Sequence, residues 1–108
     1  MTFGDITMIC PTYLFAKNYA LHSSAGSVYF YEQTYQRKAY LNTTAYGVTH
    51  FSDIDFVFGL PVLQPKPSDT SIDVEFSLQV MKLWTNFAKY GYIYAYVKCI
   101  YFIYFDYT

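Results

Sequence analysis

The sequence predicts an α/β arrangement, with helices packed around short strand structure. Three observations predict it. Residues 11–21 suit a helix opened by proline, residues 28–35 form a β-branched and aromatic run, and residues 72–89 carry apolar side chains at three- and four-residue spacing. The chain has 108 residues, enough for one small domain at most. Hydrophobic residues make up 54% and charged residues 14%. That is too apolar for disorder. It is also low in charge for a free-standing small domain, whose surface carries about 25% charged residues or more. The balance fits a piece of a larger core, so the fold is expected to be incomplete in this chain alone, leaving sheet edges and apolar helix faces exposed that drive self-association.

Proline 11 fits the first turn of a helix, where no backbone N–H is needed. Tyr13, Leu14, Ala16, Lys17 and Ala20 suit one apolar face, and residues 23–26 stop the helix. The strand over 28–35 begins apolar on both faces, as the interior of a sheet requires. Residues 36–46 read as a polar loop, and 61–67 as a proline-containing connector. In the long helix, Ile72, Phe76, Val80, Leu83, Trp84 and Phe87 form the expected apolar face, with Trp84 as a core anchor. Asp69, Thr70 or Ser71 can cap its start, Asp73 and Glu75 suit its N-terminal dipole, Lys89 suits its C-terminal end, and Gly91 can stop it.

The chemistry-bearing stretch is 47–59, Gly-Val-Thr-His-Phe-Ser-Asp-Ile-Asp-Phe-Val-Phe-Gly. A glycine at each end suggests backbone conformations that a Cβ disfavours. His50 has two acids close behind it, Asp53 and Asp55. The plainest reading is a loop histidine with both ring nitrogens hydrogen-bonded. The stretch also resembles the catalytic-histidine segment of the type-B carboxylesterase and cholinesterase family, Gly-Val-x-His-Gly-x-acid-Ile/Leu-x-Phe/Tyr-Val-Phe-Gly. Gly47, Val48, His50, Asp53, Ile54, Phe56, Val57, Phe58 and Gly59 fit, and Leu60 and Pro61 extend the match. The family glycine after the histidine is Phe51 here, which is expected to crowd the histidine or redirect the backbone. Residues 81–91, Met-Lys-Leu-Trp-Thr-Asn-Phe-Ala-Lys-Tyr-Gly, are similar to the family's Met-x-x-Trp-Thr-Asn-Phe-Ala-Lys-x-Gly. The 28–35 run resembles its Val-Tyr-x-Tyr-x-Phe strand, with Gln33 and Thr34 as departures.

That resemblance implies a partial α/β-hydrolase fold: a C-terminal strand, the catalytic-histidine loop and the final amphipathic helix. It implies a serine hydrolase of carboxylic esters. In such enzymes a histidine takes the serine proton, an acid orients the imidazole, and backbone N–H groups hold the oxyanion. His50 is the candidate general base. The serine and the acid are expected upstream of Met1, since the chain order is serine, acid, histidine. Ser24-Ala25-Gly26 copies half of a Gly-x-Ser-x-Gly elbow, but His22 replaces the first glycine and the segment runs from helix to strand. Asp53 and Asp55 are too near His50 in sequence for the triad acid and are expected to cap the following turn or join polar contacts behind the site. The resemblance further implies that Cys10 pairs with a cysteine near the end of the catalytic domain; a buried free thiol is the alternative. Asn42-Thr43-Thr44 is a glycosylation sequon, and the family suggests a secreted or extracellular setting, although no leader follows Met1.

The resemblance covers about residues 6–91, least specific at 36–46 and 62–71, and residues 1–91 read as a C-terminal fragment of such a catalytic domain. Residues 92–108 carry six of the 14 tyrosines, too few apolar residues for a span of about 20, and high β-propensity. They read as an unrelated tail, such as a translated intron or alternative end, and its Cys99 is not equated with the family's distal cysteine. Net charge is −1 with no basic stripe, so nucleic acid is not an expected partner. No cofactor and no metal are expected; the expected ligand is a small carboxylic ester, bound by a longer parent. Two other readings remain open: a cholinesterase-like adhesion protein of the neuroligin kind, and a non-functional truncated product.

Overall fold

The computed structural model describes residues 3–24, 26–41, 47–93 and 100–105. They divide into two compact units, within Met1–Glu32 plus Ile100–Thr108 and within Gln33–Cys99. In the first, a π-helical turn at Asp5–Ile9 leads directly into α1, Cys10–His22, and strand β1, Val28–Gln33, pairs with β2, Ile100–Phe105. The resemblance implies a single C-terminal strand of an α/β-hydrolase sheet; the described residues instead form a two-stranded sheet. Every residue of β1 is half-buried, short of the sheet-interior burial expected from its apolar run. The tail, read as foreign to the domain, supplies its second strand, as its β-propensity allows. Tyr13 on α1 meets Phe30 on β1 edge-on, centroids 5.6 Å apart. The apolar face expected of α1 buries only Ala20; Leu14, Phe15, Tyr19 and Leu21 stay exposed.

The second unit is built on α4, Ser71–Tyr90. Thr70 and Asp73 form a capping box: the Asp73 carboxylate accepts from the Thr70 backbone N–H and hydroxyl, both at 2.7 Å. Gly91 ends the helix in the left-handed conformation. The buried stripe is Asp73, Phe76, Ser77, Val80 and Leu83. Ile72, Trp84 and Phe87, expected on that face, are 58%, 47% and 49% exposed, so Trp84 is no core anchor here. The stripe is rotated toward positions 73 and 77 because those polar side chains have partners. Ser77 donates to the Phe56 carbonyl oxygen at 3.0 Å, while Asp73 also accepts from Tyr35 Oη at 3.1 Å and Lys38 N–H at 2.9 Å.

Two short helices pack against α4: α2, Ile54–Val57, and α3, Leu60–Leu63, the latter lying where the sequence suggested only a connector. Phe56 is fully buried and meets Phe76 edge-on at 4.7 Å; Tyr35 closes the cluster at 5.8 Å from Phe56 and 4.8 Å from Phe76. Tyr35 thus belongs to this core and not to the strand, which stops at Gln33. Between α2 and α3, Gly59 has φ +73°, and a Cβ there would lie 2.8 Å from Met81 Sδ. Only glycine lets α2 and α3 approach α4 this closely without displacing Met81.

A polar frame ties the core's entry to its exit. Arg37, placed in sequence within a polar loop, is 1% exposed. Its Nη1 donates to Asp55 Oδ2 at 2.8 Å, its Nε to Asp69 Oδ1 at 2.7 Å, and its Nη2 to Asp69 Oδ2 and to the Gln64 carbonyl oxygen. Tyr40 Oη donates to Asp55 Oδ2 at 3.0 Å and accepts from Lys66 Nζ at 2.8 Å, with that ammonium 4.1 Å from the Tyr40 ring centroid. Arg37 hydrogen bonds hold the Asp69 carboxyl below its ordinary range against the opposing effect of burial, and the Lys66 N–H adds to them. Arg37 is itself raised, chiefly by Asp69, in spite of burial. Burial is the largest single influence on Asp73 and pushes it up, but the bonds from Lys38, Thr70 and Tyr35 together bring it below the usual range.

Two outcomes follow for stability. Arg37→Ala strands two partly or wholly buried carboxylates and should cost about 3–5 kcal/mol, with Arg37→Lys recovering little because an ammonium cannot bridge both acids. Urea unfolding followed by the single tryptophan would measure this. Asp73→Asn should cost about 2 kcal/mol at neutral pH. Because the folded-state value of Asp73 is depressed, its contribution is complete above about pH 5. It shrinks as pH passes the unfolded-state value of about 3.9, and is gone below the folded-state value. The variant should accordingly lose stability less steeply on acidification than the parent chain.

Candidate functional site

His50 stands in a tight turn between the polar frame and α2. Ser52 N–H donates to the Thr49 carbonyl oxygen at 3.1 Å, and Ile54 N–H to that of Phe51 at 3.2 Å. Gly47 and Gly59, which bound the segment, both have positive φ, +75° and +73°, as their residue type suggested. The third position of the Thr49–Ser52 turn is Phe51, with φ +69°, the one non-glycine residue in the left-handed region among the described residues. Type II turns place glycine at that position for this reason. A phenylalanine there holds about 1–2 kcal/mol of backbone strain. The backbone path is thus the one a glycine would favour; what Phe51 adds is its ring, packed on the His50 imidazole with centroids 4.0 Å apart.

The imidazole is exposed, and among the described residues neither of its nitrogens has a hydrogen-bond partner. That differs from the hydrogen-bonded loop histidine that is the plainest sequence reading. An exposed imidazole with both nitrogens open can take a proton from one group on one side and be oriented by an acid on the other. The chain's other histidine, His22, lies at the end of α1 with Nδ1 2.8 Å from the Asn18 carbonyl oxygen.

The two acids behind His50 differ. Asp53 occupies the N-cap position of α2, yet its side chain makes no capping hydrogen bond; its carbonyl oxygen accepts from Phe56 and Val57 N–H groups. Asp55 joins the polar contacts behind the site, as acceptor for Arg37 and Tyr40. A single guanidinium therefore anchors the chain before His50, at 37, and after it, at 55. Gln33 backs the turn: Nε2 donates to the Tyr35 carbonyl oxygen at 3.0 Å and reaches Ser52 Oγ at 3.5 Å, while its Oε1 is buried without a partner among the described residues. Sequence reasoning missed Arg37, and it read Asp69 only as a candidate helix cap. The available signal was an arginine in a chain with few charges, followed by acids spaced along the next thirty residues.

Ser24 is exposed just beyond α1, in the helix-to-strand context that disqualifies it as an elbow serine. Cys10 is a half-buried free thiol at the start of α1. Asn42 and Cys99 lie outside the described residues. Among the described residues no group of three His, Cys, Asp or Glu side chains could hold a metal ion, and no helix is long and apolar enough to cross a membrane.

Comparison with known proteins places these residues in context. The chain is 39% identical over 88 residues to an acetylcholinesterase of Gallus gallus and, at the same identity and length, to a cholinesterase of Mus musculus. Each match covers 82% of this chain but 11% and 14% of those two proteins. The chain spans roughly an eighth of the length of the curated relatives it matches. No solved structure matches it. The sequence model of the carboxylesterase family matches residues 1–94, and the chain belongs to that family.

Proposed function

We propose that this chain is the portion of a serine carboxylic-ester hydrolase that supplies the general base, His50. The observation that carries the reading is the exposed imidazole with open nitrogens, set in the 47–59 segment of a carboxylesterase-family chain. In this role one ring nitrogen takes the proton of a serine hydroxyl as its oxygen attacks the ester carbonyl, and the resulting imidazolium then protonates the departing alcohol. The other nitrogen donates to a carboxylate that keeps the ring in the right tautomer. The 108 residues contain no Gly-x-Ser-x-Gly elbow, so serine and acid belong to a longer parent and the isolated chain has no esterase activity. Asp55 serves as a support through Arg37, with no contact to substrate.

A second reading has one observation in its favour. The ring of Phe51 against His50 suits a cholinesterase-like protein of the adhesion kind, whose site no longer needs access. A chimera separates the two. In a cholinesterase whose matching segment is replaced by residues 1–91, ester hydrolysis should persist and fall by at least about a hundredfold with His50→Ala. A folded, inactive chimera would support the adhesion reading, and an active one insensitive to the substitution would remove His50 from the chemistry.

By itself the chain is proposed to self-associate. Phe3, Phe15, Phe58 and Leu63 are 83%, 71%, 66% and 74% exposed, apolar side chains open to association. Sedimentation should give species larger than 12.6 kDa at micromolar concentration, shifting toward monomer when Phe15 and Leu63 are both changed to glutamate.

A further inference from the structure

Phe51 pays a conformational penalty for its position and gains little burial from it. Its φ of +69° is held by the Thr49–Ser52 hydrogen bond on one side and the Phe51–Ile54 hydrogen bond on the other, and its ring remains 66% exposed. Packing among the described residues therefore does not account for the ring. What the ring does touch is His50, at 4.0 Å between centroids and an interplanar angle of 41°. A tilted aromatic ring at that separation covers one face of the imidazole and narrows the approach to its nitrogens from that side. It also presents its own outer face to whatever approaches His50.

We propose that Phe51 is a positioning and specificity-determining residue: its ring fixes the orientation of the His50 imidazole and walls off one side of the site, so that an ester group seated beside His50 must be flat or small, and bulky branched groups are excluded. The specificity half rests on His50 being the base, as proposed above; the shielding half does not. The left-handed turn is what aims the ring, since an extended backbone at 51 would carry it away from the histidine. Gln33 and Ser52, in contact behind the same turn, hold its far side.

The test uses diethyl pyrocarbonate on the full chain. An imidazole nitrogen attacks one carbonyl of the reagent, an N–C bond forms as the anhydride C–O bond breaks, and ethanol and carbon dioxide leave. His22, in the other unit, is the internal reference. Peptide mass spectrometry should show Phe51→Gly and Phe51→Ala raising the His50 rate about two- to tenfold relative to His22, the equivalent of losing one aromatic pair. Phe51→Tyr, which keeps the ring, should leave the ratio unchanged. Circular dichroism verifies that the fold persists, and the glycine variant relieves strain and so keeps the proposal testable if the alanine variant unfolds. An unchanged ratio in Phe51→Gly would overturn the shielding. In the cholinesterase chimera, Phe51→Gly should raise kcat/KM for branched esters relative to flat ones; an unchanged ratio in an active chimera would overturn the specificity. A folded, inactive chimera refutes the base, and with it the specificity half, while the reagent rates still decide the shielding.

Discussion

The interaction on which the rest of the second unit depends is the buried Arg37 guanidinium between Asp55 and Asp69. A charge that is 1% exposed is tolerable only when paired and hydrogen-bonded on every side. Meeting that requirement brings three remote parts of the chain together. Residue 37 lies before the histidine turn, Asp55 sits in α2 just after it, and Asp69 stands one residue before the cap of α4. Once Asp55 is held, α2 has a fixed rotation, and Phe56, its neighbour, must point inward to Phe76. The aromatic cluster and the ion-pair frame are thus two consequences of one placement of α2. Neither would be secure alone, because the ring cluster sets no azimuth and the carboxylates would not remain buried without their cation.

The histidine turn hangs from this frame without belonging to it. Thr49, His50 and Phe51 are exposed, its two backbone hydrogen bonds are local, and the positive φ of Phe51 belongs to the turn. Rigid support under an open loop is a common arrangement for reactive side chains, since scaffold elements hold position while loops provide access. Membership of the carboxylesterase family gives that arrangement its context. The aromatic residue at position 51 is where this chain departs from the pattern. Its ring packs on His50, while the backbone keeps the conformation that glycine would take.

Some of this was legible in residues alone. The long helix was expected over 72–89 and runs from Ser71 to Tyr90, because its signals are local: a threonine with an acid three residues on, a 3.6-residue apolar repeat and a terminal glycine. The positive φ values at Gly47 and Gly59 were also foreseeable from residue type. Other features escaped. Asp73 and Ser77 lie outside the apolar face expected from the sequence but are buried, since their partners come from residues 35, 38 and 56. Trp84 looked like an anchor on hydrophobicity and lies half in solvent. Helical periodicity identifies a broad apolar face; it cannot say which edge of that face meets a neighbour.

By itself, then, the sequence determined what depends on near neighbours: the start and stop of α4, the left-handed glycines, the histidine and its family pattern, and an excess of apolar side chains over what one small core can bury. Only the tertiary structure decided that Arg37 is buried, that Asp55 rather than Asp53 pairs with it, that the Phe51 ring packs on His50, and that the tail strand pairs with β1. The physical reason is range. Turn and cap energetics act over three or four residues and are written in residue type, whereas the pairing of residues 37 and 69, 32 positions apart, exists only after the chain has closed the loop between them.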